Sequence, residues 1–308
     1  MQYRSISSVW KNKYGGKVYK LSLQSGCTCP NRDGKIGTGG CTFCSEGGSG
    51  DFAAAYTESI ECQIEEAKKR VNAKFPKGDP HRYVAYFQSF TNTYGDAGRL
   101  ANLYKKTLEF PEIVELSIGT RPDCLPSEML AMLSDLNKIK PVTVELGLQT
   151  IHEKTAQRIQ RGYSLPVFET AYRNLSDLGV GIVVHVILGL PGETKEDMLE
   201  TVNYLANLTP TLPGIKLQLL HILKGTQLAR EYKMCPFSVF SMEEYTDLVV
   251  ACLKRLPEET VIHRMTGDAP KSLLIEPKWS ADKKRCLNML QRKIAVSSRN
   301  ERREDYET

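Results

Sequence analysis

No apolar run in this sequence approaches the roughly 20 residues that a membrane-spanning helix requires, which excludes a bundle of membrane helices. The first residues, Met-Gln-Tyr-Arg-Ser-Ile-Ser, lack the apolar core of an export signal, so the expectation is a cytoplasmic protein without a membrane partner. No period of internal repetition and no low-complexity linker divides the chain, so repeat architectures drop out. No Gly-x-Gly-x-x-Gly follows the first strand-like stretch, and the dinucleotide-binding fingerprint is therefore missing. Extreme charge is also missing. A formal net charge of +5 and a charged fraction of 25% permit a nucleic-acid partner without requiring one.

What the sequence does have is a concentration of cysteine. Four of the nine cysteines fall in residues 26–46, Gly-Cys-Thr-Cys-Pro-Asn-Arg-Asp-Gly-Lys-Ile-Gly-Thr-Gly-Gly-Cys-Thr-Phe-Cys-Ser-Glu. The glycines and the proline mark an irregular loop, and Lys17-Val-Tyr-Lys-Leu-Ser-Leu before it alternates like a strand. Thiolates gathered on a loop in a reducing compartment point to a metal. One choice is a closed zinc site, with Cys27 completing a set of four beside Cys29, Cys41 and Cys44. The other is an iron–sulfur cluster held by Cys29, Cys41 and Cys44, with one iron open and Phe43 shielding it from water. The loop contains no histidine, and the nearest is His81. The scattered Cys62, Cys124, Cys235, Cys252 and Cys286 are expected as core filler.

Strand-like and helix-like segments then alternate. Strands are predicted from Val18, then at 83–88, 113–119, 142–148, 181–188 and 215–222, with helices at 57–72, 97–108, 127–137, 165–178, 195–208 and 242–256. Six βα units predict an α/β fold, a partial (β/α)6 barrel with a short C-terminal extension, preferred over an open doubly wound sheet. The expected divisions are an N-terminal segment over 1–16, the barrel over 17–258, an extension closing the barrel mouth over 259–296, and a disordered tail over 297–308. Chemistry in such folds gathers at the C-terminal ends of the strands, where every unusual segment here falls.

Cys29-x11-Cys41-x-Phe43-Cys44 resembles a stretched form of the cysteine motif of radical S-adenosylmethionine (AdoMet) enzymes, in a bacterial branch similar to the catalytic subunit of Elongator. Thr91-Asn-Thr-Tyr, Thr120-Arg-Pro-Asp, Gly147-Leu-Gln and Gly189-Leu-Pro-Gly-Glu-Thr carry the resemblance along the chain. It implies a [4Fe–4S] cluster on Cys29, Cys41 and Cys44, Cys27 spare, and AdoMet on the open iron. It also implies reductive cleavage of AdoMet to a 5′-deoxyadenosyl radical that takes hydrogen from the substrate. The AdoMet contacts it implies are Phe43, Gln88, Ser89, Thr91, Gln149, Arg161, His185 and Leu220. Arg161 is expected there as a planar donor to a carboxylate.

The substrate that the resemblance implies is tRNA. The reaction would remodel the 5-carboxymethylaminomethyl group of a wobble uridine towards 5-aminomethyl, with a one-electron donor of flavodoxin or ferredoxin type. Lys224, Arg264, Lys278 and Trp279 are the substrate-side candidates, Trp279 as a surface on which a base stacks. A porphyrinogen-like small molecule and a non-catalytic metal-binding RNA module are the alternatives.

Overall fold

The computed structural model describes the backbone of residues 3–307 and the side chains of residues 3–298. The six expected strands are all present: β2 (Val18–Leu23), β3 (Arg82–Phe87), β4 (Ile113–Thr120), β5 (Val142–Gln149), β6 (Gly181–Leu188) and β7 (Gly214–Leu219). Two short strands join them, β1 (Arg4–Ser5) and β9 (Val261–Arg264), in one parallel sheet ordered β1-β9-β7-β6-β5-β4-β3-β2. Interior parallel strands are covered on both faces and so read as apolar runs. Tyr83-Val-Ala-Tyr-Phe, buried at every position, is one such run. The sheet curls into an open barrel, with α3 (Ala97–Glu109), α4 (Ser127–Ile139), α6 (Leu165–Asp177), α7 (Lys195–Ala206) and α9 (Met242–Leu253) among the helices outside it. Their apolar stripes and the outer sheet face form one continuous core.

Three boundaries differ from the expectation. The N-terminal segment is integral to the barrel. Ser5 caps α1 (Ile6–Tyr14) by accepting from the Ser8 amide at 3.2 Å, and α1 contacts both β2 and β9, strands from opposite ends of the sheet. Its Trp10 is buried and donates from Nε1 to Glu115 Oε2 at 3.3 Å. The extension beyond 258, expected to close the barrel mouth, also supplies a strand of the sheet itself, since β9 lies hydrogen-bonded between β7 and β1. A further strand from it, β10 (Leu274–Glu276), pairs antiparallel with β8 (Ile222–Leu223). Finally, α10 runs Lys283–Glu307 where a structureless tail is expected from Ser297. It packs on α9 through Cys286, Leu290 and Ile294, and Thr308 lies outside the described residues.

Candidate active site

The cysteine loop leaves β2 and is tied back onto the barrel by its own backbone. The Thr42 amide donates to Ile159 O at 3.1 Å, and Thr42 O accepts from the Leu228 amide at 2.8 Å. Arg32 Nη2 donates to the carbonyls of Cys44 and Ser45, at 3.1 and 2.5 Å, and fixes the far limb. Phe43 packs against a small apolar cluster that includes Ile159, Ile187 and Leu220. Gly50 meets the loop after β3 so closely that a Cβ there would lie 1.8 Å from Ser89 Oγ, which accounts for glycine at that position.

Cys29, Cys41 and Cys44 line one end of a cavity of about 610 Å³ at the C-terminal ends of the strands. The Cys41 thiol is pushed up to about 12, first by burial and then by the neighbouring Cys44. A thiol raised in this way needs a cation beside it before it can ionise. Cys27 is turned away: it is buried in the main core, and Arg99 Nη2 donates to its Sγ at 3.3 Å. That removes it from a four-cysteine zinc site.

The expected AdoMet contacts divide into two groups. Phe43, Gln88, Thr91, Gln149, His185 and Leu220 all line the cavity. Gln149 holds a left-handed backbone, φ 71°, at the end of β5, and its Oε1 is buried without a partner among the described residues. A non-glycine residue strained in this way, with an orphaned acceptor, marks a place shaped for a ligand. Ser89 is buried beneath Gly50 and does not line the cavity, and its Oγ also lacks a partner among the described residues. Arg161 lines the cavity but is not free. Nη1 donates to Leu148 O and Thr150 O at 3.0 and 2.7 Å, and Nε and Nη2 donate to Tyr163 O at 3.0 and 2.8 Å. Its fifth N–H meets Glu153 Oε2 at 3.5 Å. The guanidinium braces the loop after β5 and has nothing left for a ligand carboxylate.

The substrate-side residues scatter. Arg264 lines the cavity, but Lys224, Lys278 and Trp279 do not. Trp279 is half-buried and lines a separate pocket with Lys271, Lys278 and Arg285. Its Nε1 donates to Phe240 O at 2.7 Å, its ring lies 5.8 Å from that of Tyr245, and it packs against the core. Lys278 is exposed beside Glu276, at 3.9 Å.

The other end of the cavity holds a polar cluster that sequence reasoning did not find. Glu145 on β5 is fully buried and ion-paired with Lys20 and Lys216. It also accepts from Tyr86 OH at 2.6 Å, Ser117 Oγ at 2.9 Å and His185 Nε2 at 2.8 Å. Burial alone would raise its carboxyl, yet the two lysines outweigh burial and hold it well below the usual range. Burial and Lys216 lower His185 to about 4, so the imidazole is neutral near neutral pH. A neutral ring facing a carboxylate must carry its proton on Nε2, which leaves Nδ1 to accept from Gln218 Nε2 at 3.4 Å. The available signal was Lys216 and Glu145 themselves, charges inside strands otherwise buried on both faces.

Residues 29–205 match the radical SAM superfamily, and residues 212–295 match the radical SAM C-terminal domain. This chain belongs to the radical SAM superfamily. Among its relatives, the protein YtqA of Bacillus subtilis is 39% identical over 293 residues, covering 95% of this chain and 89% of YtqA. Elongator complex protein 3 of Danio rerio is 28% identical over 204 residues. That match covers 63% of this chain and 36% of the fish protein, so this radical SAM enzyme spans little more than a third of that relative. The archaeal Elp3 of Methanocaldococcus infernus, lacking residues 1–46, shares the fold at a TM-score of 0.66 and 16% identity, over 90% of this chain and 63% of that one. The cofactors of the radical SAM superfamily are a [4Fe–4S] cluster and AdoMet. Three thiols on one cavity wall and the orphaned Gln149 amide oxygen fit that pair. No helix among the described residues is long and apolar enough to cross a membrane.

Proposed function

We propose that this radical SAM enzyme modifies tRNA at a wobble uridine, taking a 5-carboxymethylaminomethyl group towards 5-aminomethyl. The observation that carries the reading is the match to Elongator complex protein 3, together with the likeness of the Cys29–Cys44 loop to that branch. Cys29, Cys41 and Cys44 would hold the cluster. With cluster and AdoMet bound, the chemistry supplied is reductive cleavage of AdoMet followed by hydrogen abstraction. The chain's own residues orient and shield. Phe43 keeps water from the cysteine end, Leu220 walls the apolar side, and Gln88, Thr91 and the free Gln149 amide face the cofactor space. A flavodoxin- or ferredoxin-type protein would supply the electron. The exposed Lys284, Arg285 and Arg292 of α10 would meet tRNA phosphates.

The test is the nucleoside profile of tRNA from a deletion strain, beside anaerobic reconstitution of the protein. The expected result is 5-carboxymethylaminomethyluridine accumulating at the wobble position, with 5′-deoxyadenosine formed in vitro. An unchanged profile overturns the reading. A small anionic molecule such as a porphyrinogen is the second reading, favoured by the position of Lys224, Lys278 and Trp279 outside the cavity.

A further inference from the structure

The polar end of the cavity presents an arginine, Arg264, whose one ion pair among the described residues is with Asp268. Glu145 pairs with Lys20 and with Lys216, which burial lowers well below the usual lysine range, and Asp268 pairs with Arg264 at 3.3 Å and Lys283 at 2.7 Å. His185 is neutral and adds no charge. Asp51, the remaining carboxylate on the cavity wall, belongs to the cysteine end, where Ser45 Oγ donates to it at 2.8 and 2.9 Å. Lys216 lies beneath the cavity surface and Lys283 faces solvent, so Lys20 and Arg264 are the cations of this group that line the cavity. Their side chains are only 23% and 24% exposed. They come from β2 and β9, near opposite ends of the sheet, and the curl of the barrel sets them on one cavity. A cation held out of water without a full counter-charge is costly, and an anion that enters beside it removes that cost. Asp268 occupies one Nη of Arg264 and leaves most of the fork open, the geometry that suits a carboxylate.

We propose that the Lys20–Arg264 end of the cavity receives a carboxylate carried by the substrate, with Arg264 determining the preference. The identity of the carrier rests on the tRNA reading, in which the group is the terminal carboxylate of 5-carboxymethylaminomethyluridine. The carboxylate itself rests on the open guanidinium fork of Arg264 on the cavity wall.

The experiment is calorimetric titration of the reconstituted enzyme with three phosphate-free probes: 5-carboxymethylaminomethyluridine, 5-aminomethyluridine and N-methylglycine. The expected preference for the first nucleoside over the second is tenfold or more. Arg264→Gln should abolish that preference while sparing the weak affinity for 5-aminomethyluridine, and Arg264→Lys should retain part of it. Asp268 keeps Lys283 as a partner in both variants, so the fold is not put at risk. If the nucleosides do not bind but N-methylglycine does, and Arg264→Gln weakens it tenfold, the carboxylate site stands and the tRNA reading falls. If neither the nucleoside preference nor N-methylglycine binding depends on Arg264, the site is overturned, whatever the tRNA profile of the deletion strain shows.

Discussion

Replacing Glu145 by glutamine is the sharpest probe of the cavity floor. The amide is nearly isosteric, but it removes the one charge that holds Lys20 and Lys216 together and leaves both ammonium groups facing each other in a buried site. Breaking a buried pair from one side costs about 3–5 kcal/mol. The unfolding entropy of a chain of 308 residues is about 0.65 kcal/mol/K at roughly 2.1 cal/mol/K per residue, so the melting temperature should fall by about 5–8 °C. The pH dependence carries its own sign. In the parent, the folded carboxyl lies below its unfolded value of about 4.3, so its contribution is complete above that value and is lost as the pH falls through the folded pKa. Near neutral pH the parent's Glu145 contribution is therefore flat. Burial lowers Lys216 well below the ordinary lysine range already in the parent, and the variant loses the Glu145 charge that raises it, so its folded pKa falls further. Between its folded pKa and the ordinary lysine value of about 10.4, the unfolded chain binds more protons, so stability rises with pH. The defect should narrow as the pH rises from the variant's folded Lys216 pKa to the parent's, and stay constant above it, where both proteins gain stability alike. Thermal unfolding of both proteins, followed by circular dichroism across this range, measures it. A variant that melts within about 1 °C of the parent at neutral pH would refute the reasoning, since a shift that small corresponds to less than about 1 kcal/mol.

Four further outcomes are expected. Cys29→Ala, Cys41→Ala and Cys44→Ala should each lose the charge-transfer absorbance of the reconstituted cluster, whereas Cys27→Ala, whose thiol faces Arg99, should keep it. Gln149→Ala should leave that absorbance intact and weaken AdoMet about fivefold to more than a hundredfold, from about 1–3 kcal/mol for the missing amide hydrogen bond, as read by equilibrium binding. Arg161→Ala should act on the fold. It strands the carbonyls of Leu148, Thr150 and Tyr163, which should lower the melting temperature by several degrees in scanning calorimetry. Lys284→Glu with Arg285→Glu should weaken tRNA binding and flatten its dependence on salt, by roughly 0.9 in the logarithmic slope for each phosphate no longer neutralised.

The parts of the molecule legible in the sequence are those encoded by local pattern. Tyr83–Phe87 and Gly181–Leu188 read as strands because a parallel strand covered on both faces is apolar throughout. The cysteine loop announced itself through spacing and glycine. β1 escapes because two residues carry no period, and only tertiary pairing makes it a strand. Arg161 lines the cavity, but the role expected of it, a donor to the AdoMet carboxylate, meets a guanidinium already engaged. Spacing locates a side chain and cannot say that its five N–H groups already have acceptors. The packing of Trp279 is hidden for the same reason: a tryptophan near lysines looks wholly open until the Phe240 carbonyl and the Tyr245 ring are seen beside it. Glu145 and Lys216 are a recognisable pair only once β5 and β7 are folded into one barrel.

The pairing of β1 with β9 also has a consequence during synthesis. Arg4 and Ser5 find their partners at Val261 and Ile262, so the ribosome delivers the two halves of that ladder far apart in time. At about 5–20 residues per second, the interval is roughly 13–50 s. Until β9 emerges, α1 can touch β2 but has no second strand to bridge to, and its Trp10 has only part of its final surroundings. The last seam of the barrel therefore closes after nearly all of the chain has been made. A nascent chain stalled before Val261 would present an unpaired strand and an unfinished floor to whatever chaperone meets it.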